Sequence, residues 1–319
     1  MDKATIYQNL GNITKSKENW YNSLIVDPEY LGAELLVDYL SYLLNEISYE
    51  EIIEKYHYKI KRSISNNDKS EVSGHLSQFY SVHGQIDSSI YYANNSVQLY
   101  KDNSSPMQMV WRNLFRIPNY IYIGRYDIAI NIYEEYGKTG QTKDNFLSNV
   151  WLKMHENKIV EAKKLVNNKL ETKIIAGELL NLSEHYLLNG LISLKENQYQ
   201  DAIVSFKKIL SYSSGSTPDY FSFSRVSGSD IDVYLLISQV YFQLNDTQAS
   251  FEWALKAYKI SPFEPLIQYQ MALIEHDTGN HDKAKEYLEY CLDFWKYADE
   301  DFSPSIEAKK KWSEWNQVN

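Results

Sequence analysis

At 319 residues, 44% hydrophobic and 23% charged, the chain carries too much apolar material to stay disordered, and its mean hydropathy of −0.48 is that of a soluble protein on average. Its formal charge of −10 and pI near 5.3 argue against a general nucleic-acid binder, since phosphate backbones are held by clustered Lys and Arg. The single Cys excludes a disulfide framework and any multi-cysteine metal site.

The N-terminus MDKATIYQNL lacks the apolar core of a secretory signal. Polar residues interrupt each long apolar stretch, as Glu34 and Asp38 do in LGAELLVDYLSYLL. Neither export nor membrane insertion is expected, and the chain is placed in the cytoplasm. From Met1 to Pro28 one pattern is already visible: Tyr7 stands four before a Gly11 corner, Ser16 five after it, then Trp20, Ser23 and the closing Pro28. A first helix in this register would begin upstream of Met1, so the chain is expected to open inside a unit. The second unit, Ala33 to about Asn66, takes Ile47 as its corner, followed by Ile52, Tyr56 and a polar Lys59. The basic run Lys55, Lys59, Lys61 and Arg62 reads as a solvated helix face. The third unit, Ser70 to about Asn103, has Tyr80, the corner Gly84, then Ser89, Ala93 and Ser96.

The fourth, Val110 to about Lys143, has its corner at Gly124, then Ala129, Tyr133 and Tyr136. Pro118 falls inside its first helix, where it removes a donor and predicts a kink. The fifth, to about Ala176, turns at Asn157 before Ala162 and Val166, and the sixth places Gly190 opposite Ala202 with Asn197 at the corner and Phe206 beyond. The stretch 211–231, SYSSGSTPDYFSFSRVSGSDI, is a loop by its Gly, Ser and Pro, with Tyr220, Phe221 and Phe223 tucked into the nearest groove or forming a flap. Two further units follow, DVYLLISQVYFQLNDTQASFEWALKAYKISP (Asp232 to Pro262) and YQMALIEHDTGNHDKAKEYLEYCL (Tyr269 to Leu292), with corners at Asn245 and Gly279. Ser303 as N-cap and Pro304 in the first turn then start a last helix, with Ile306, Lys310, Trp312 and Trp315.

Two constraints agree along this array. Seven of eight corners are Gly or Asn, the types that most cheaply adopt the left-handed conformation by which a helix ends and reverses. Seven of the eight positions five residues later are Ala or Ser, as close helix crossings demand. Units of about 34 residues with small residues facing each other across a helical hairpin resemble the tetratricopeptide repeat. The resemblance implies an all-α, right-handed superhelical solenoid of about eight helix–turn–helix units over residues 1–302, interrupted by the 211–231 loop and closed by a solubilising capping helix at 303–319. Such an array need not split into globular domains, since each unit buries its face against its neighbours. The run LDFWKYADEDFSPSIEAKKKW also resembles the end of repeat regions attached to bacterial serine/threonine kinases and class III adenylate cyclases.

Motifs for chemistry are missing. Gly137-Lys138-Thr139 fails as a phosphate loop because Ile132 stands where the required glycine should be, behind a helix instead of a strand. The seven His residues show no metal spacing, His276 and His281 straddle a corner and read as exposed, and Cys291 falls on a buried small-residue face. No catalytic residue, cofactor or metal is therefore expected, and the chain reads as a non-enzyme. Tetratricopeptide proteins generally serve as scaffolds and adaptors, so the resemblance implies a protein partner: a peptide or partner helix in a concave groove. The alternatives are a regulatory segment of a bacterial signalling enzyme or a peptide-pheromone sensor. The groove would be lined from the first helix of each unit by Trp111, Leu114, Ile121, Tyr122, Leu147, Trp151, Met154, Leu187, Leu191 and Leu194, then Leu235, Phe242 and Tyr269. This apolar and aromatic stripe suits an amphipathic helix or hydrophobic segment and lacks the Lys, Arg and Asn ladder that clamps a terminal carboxylate. The same stripe also fits packing between neighbouring first helices. Oligomeric state is open.

Overall fold

The computed structural model of the protein describes residues 12–100, 120, 124–137, 146–176, 182–212 and 230–317. Among the described residues there are fifteen α-helices and no strand. They divide into two compact units, one drawn from residues 1–132 and 290–319, the other from 133–218 and 225–289. The first holds α1 (Ile13–Val26), α2 (Leu31–Leu43), α3 (Tyr49–Arg62), α4 (Asn66–Val82), α5 (Ile86–Tyr100), the start of α6 (Tyr126–Gly137), and α15 (Ser303–Asn316). The second holds α7 (Phe146–His155), α8 (Ile159–Ala176), α9 (Leu182–Lys195), α10 (Tyr199–Tyr212), α11 (Asp230–Gln243), α12 (Thr247–Ile260), α13 (Pro265–Asp277) and most of α14 (His281–Phe294).

Each hairpin is made at its corner. Seven described residues have positive φ, and all are Asn or Gly: Asn45 at 57°, Gly84 at 75°, Gly124 at 72°, Asn157 at 60°, Asn197 at 58°, Asn245 at 57° and Gly279 at 84°. The residue after each corner donates its N–H back across the helix end, as Gln85 does to Tyr80 O at 2.9 Å, Asp246 to Tyr241 O at 3.0 Å and Asn280 to Glu275 O at 2.8 Å. These bonds satisfy carbonyls that the end of a helix leaves without an intrahelical donor. Five residues beyond the corners, Ser89, Ala129, Ala162, Ala202, Ser250 and Ala284 are all 0% exposed.

Serine at this position does more than stay small. Ser89 Oγ donates to Ser77 O at 2.7 Å across the α4–α5 crossing, and Ser250 Oγ donates to Ser238 O at 2.9 Å across α11–α12. Ser238 Oγ returns a bond to Ser250 O at 2.8 Å, so the buried hydroxyls meet carbonyls of the facing helix. In the α9–α10 hairpin Gly190 takes the place of Ser77 and Ser238. A β-carbon there would lie 2.3 Å from the ring of the fully buried Phe206.

Three sequence expectations need correction. The second corner is Asn45, two residues before Ile47. The connection is longer here, and Ser48 caps α3 through a reciprocal capping box with Glu51, which carries Ile52 to its fully buried position. The run Lys55 to Arg62 is not uniformly solvated. Asp38, only 8% exposed in its side chain, holds Lys55 at 2.7 Å and Lys59 at 3.0 Å, and Lys59 also pairs with Glu34. Finally, Phe302 is the N-cap of α15, and Ser303 and Pro304 occupy its first turn. Phe302 is fully buried and packs on Trp295 with ring centroids 5.8 Å apart, which fixes the chain one residue before the polar cap expected. The helix buries Ser305, Ala308 and Trp315 and leaves Ile306 exposed. The expected Gly11 corner, the Pro118 kink and most of the 211–231 loop lie outside the described residues.

Candidate functional site

The second unit contains the described part of the expected groove. Its first helices α7, α9, α11 and α13 alternate with α8, α10, α12 and α14, and α7 lies beside α9 and α11 beside α13. Apolar residues recur along them at helical spacing, so each helix has one stripe turned to its own hairpin partner and another toward the next first helix.

The two stripes part the candidate residues. Met154 is 4% exposed in a cluster with Val150, Ala162, Val166, Leu188 and Ile192. Leu187, 3% exposed, packs with Phe206 and Val233, and Leu235, 4% exposed, with Ala254, Ile267 and Met271. Leu191, Leu194 and Phe242 are only half-buried against these same clusters, and Tyr269 is half-buried on α13. These four keep apolar surface open. Leu147 and Trp151 lie on α7. Trp111, Leu114, Ile121 and Tyr122 lie outside the described residues.

The margins of the unit carry groups that the sequence stripe did not include. Lys207 donates to the Tyr241 hydroxyl at 2.8 Å and sits 5.5 Å from the Trp253 ring centre, while Lys256 lies 3.7 Å from the same ring. Lys208 sits 4.9 Å from Tyr186, and it adds to burial in lowering the pKa of His185. Only Lys256 and Trp253, three positions apart on α12, could be paired from spacing, whereas the contacts of Lys207 and Lys208 depend on packing that brings α10 beside α9 and α11.

A cavity of about 670 Å³ opens beside the Gly279 corner, among Thr247, Gln248, Phe251, Glu275, His281 and Lys283. Glu275, 5% exposed in its side chain, accepts from Lys283 at 2.8 Å and from Asn280 Nδ2 at 2.7 Å. That hydrogen bond raises the Lys283 pKa. His281 is exposed, and its ring lies 4.8 Å from that of the half-buried His276. Cys291 is fully buried on α14. Among the described residues no group of three or more His, Cys, Asp and Glu is placed to hold a metal ion, and no helix is long and apolar enough to cross a membrane. What the unit offers is contact: an apolar stripe on successive helices, with lysines stacked on aromatic rings at its side.

The tetratricopeptide repeat model matches residues 231–264 and 266–294, which hold α11–α12 and α13–α14. No curated protein matches the chain. Among solved structures, the crystal structure of the APC/C hetero-tetramer Cut9–Hcn1 aligns at 14% identity with a TM-score of 0.49, over 96% of this chain and 54% of that one. The crystal structure of MamA protein aligns at 15% identity with a TM-score of 0.28, over 71% of this chain and 92% of that one. The chain thus covers about half the length of the first of these.

Proposed function

We propose that this tetratricopeptide-repeat protein is an interaction scaffold without a reaction of its own, and that it holds an amphipathic helix or a hydrophobic peptide segment against the first helices of its hairpins. The observation that supports this reading is the split within the apolar stripe of the second unit. Residues such as Met154 and Leu235 complete the core, whereas Leu191 and Leu194 on α9, Phe242 on α11 and Tyr269 on α13 leave part of their surface in solvent. A helix that needed its stripe only for packing would bury it throughout. Half-open leucines and aromatics in succession give a partner helix apolar anchors at i, i+3 and i+4.

The test is the pair Phe242→Ala with Tyr269→Ala in the full chain, beside Leu235→Ala as a core control. Binding of a purified partner should fall at least about tenfold for the pair, or about 1.4 kcal/mol. Its melting temperature should drop well short of that of Leu235→Ala, which empties a core site and costs about 2–5 kcal/mol. Undiminished binding, or a melting loss as large as that of the control, overturns the reading.

A further inference from the structure

Residues 213 positions further along the chain complete the corner between α4 and α5. Asp299 Oδ2 accepts the backbone N–H of Ile86 at 2.6 Å and that of Asp87 at 3.2 Å, which is what an N-cap side chain does for its own helix. The N–H of Asp299 donates to Gly84 O at 3.0 Å, and the indole N–H of Trp295 to Val82 O at 3.2 Å. Gly84 has no side chain because Phe302 fills the space, where a β-carbon would lie 2.5 Å from the ring. One short stretch therefore satisfies end groups of both helices.

Just before it, Phe294 stacks face to face on His83, with centroids 4.2 Å apart and planes 6° from parallel. Phe79 lies at 4.2 Å from the same imidazole, which is 1% exposed. His83 Nδ1 is 2.7 Å from the carbonyl oxygen of Phe79 and so carries the proton, leaving Nε2 to accept from the Tyr42 hydroxyl at 2.7 Å. Both nitrogens are used by the neutral ring. We propose that residues 294–302 are a strap that opens as a unit from the α4–α5 corner, and that acid opens it because the fastened strap seals a neutral His83.

The balance of charge around His83 works against an imidazolium. Lys296, on the strap, opposes a second positive charge. Glu50, at the head of α3, accepts from the Tyr297 hydroxyl, and Asp293, at the end of α14, faces Lys296 at 3.6 Å. Tyr42 and Tyr49 are themselves held protonated by burial. Burial first, and Lys296 after it, hold His83 at about 3 against an ordinary 6.5, over the opposing pull of its bond to Phe79. Opening removes Phe294 from one face of the ring and admits water. Above pH 6.5 the ring is neutral in both states and the strap has its full stability. As the pH falls from 6.5 toward 3, the open state takes up a proton and the fastened state does not, so opening grows about tenfold per pH unit.

The test is native-state hydrogen exchange on the full chain at roughly pH 7.5 and 5.5, corrected for intrinsic rates. The amides of Ile86, Asp87 and the strap should exchange together, with an opening constant about tenfold larger at the lower pH, while α12 and α13 keep their protection. His83→Phe, which keeps a ring in the stack and cannot titrate, should abolish the response. Asp299→Ala should raise opening at both pH values and keep their ratio. Strap amides that exchange only in step with all of α4 and α5, a wild-type ratio near one, or a response that survives His83→Phe would each overturn the proposal. Should His83→Phe not fold, the wild-type and Asp299→Ala ratios still decide it.

Discussion

Gly190→Ala sets two physical effects against each other, and the structure decides the sign. Gly190 lies inside α9, where alanine is the better helix former by about 1 kcal/mol, so propensity alone calls for stabilisation. Packing calls for the reverse. The added β-carbon would lie 2.3, 2.6 and 2.9 Å from three carbons of the Phe206 ring. That ring is 0% exposed and clamped among Leu187, Ile209, Val233 and Ile237, so it has no room to retreat. Overpacking of this kind costs about 1–3 kcal/mol, near the upper end for a contact this short, and the variant should be less stable than the parent by up to about 2 kcal/mol after the propensity gain. Urea denaturation read by circular dichroism measures this as a lower midpoint at unchanged slope. Phe206→Leu in the same chain should recover part of the loss, making the double variant less damaged than the two single losses added together. A Gly190→Ala protein as stable as the parent would show that α9 and α10 do not cross as closely as described.

The remaining outcomes follow from other contacts. Ala202→Phe should cost about 1–3 kcal/mol by overpacking the same hairpin, whereas Val204→Phe, at a position 54% exposed, should change stability by less than about 0.5 kcal/mol; equal melting temperatures would contradict the register. Lys59→Met should cost about 2 kcal/mol because it leaves the buried Asp38 with Lys55 alone, while Lys61→Met, on the exposed side, should be close to neutral in the same thermal melt. Cys291, 0% exposed, should react with a thiol reagent only as fast as the protein opens, and rapid labelling of the folded chain would place it elsewhere.

What could be read in the residues was local. The corner types and the small residues five positions later each follow from backbone sterics within one hairpin, and six of the expected corners have the left-handed residue where the spacing put it. Ile47 failed because the spacing was held constant where the chain inserts two extra residues. The S-x-x-E signature of Ser48 and Glu51 was the clue that a capped helix begins at Tyr49. Lys59 was misread because its partner Asp38 sits on another helix, and only packing shows that this aspartate is buried. The stripe assigned to the groove mixed two populations for a related reason: Met154 and Phe242 look alike in a helical projection, and the neighbouring helices determine which keeps its surface. The contact of Asp299 with Ile86 left no trace in any local pattern.

That last contact bears on the order in which the molecule forms. Hairpin crossings such as Ser77–Ser89 and Ser238–Ser250 join residues 12 positions apart and can close as soon as each pair of helices has left the ribosome. The bonds from Asp299 to the head of α5 span 213 positions, and for a flexible chain that longer loop adds about 2.5 kcal/mol of closure entropy. During synthesis the amides of Ile86 and Asp87 must therefore wait, bonded to water, while some 200 further residues are made. Completion of the α4–α5 corner is a late event of folding, and a nascent chain stalled before Trp295 should carry folded hairpins with those two amides still open to exchange.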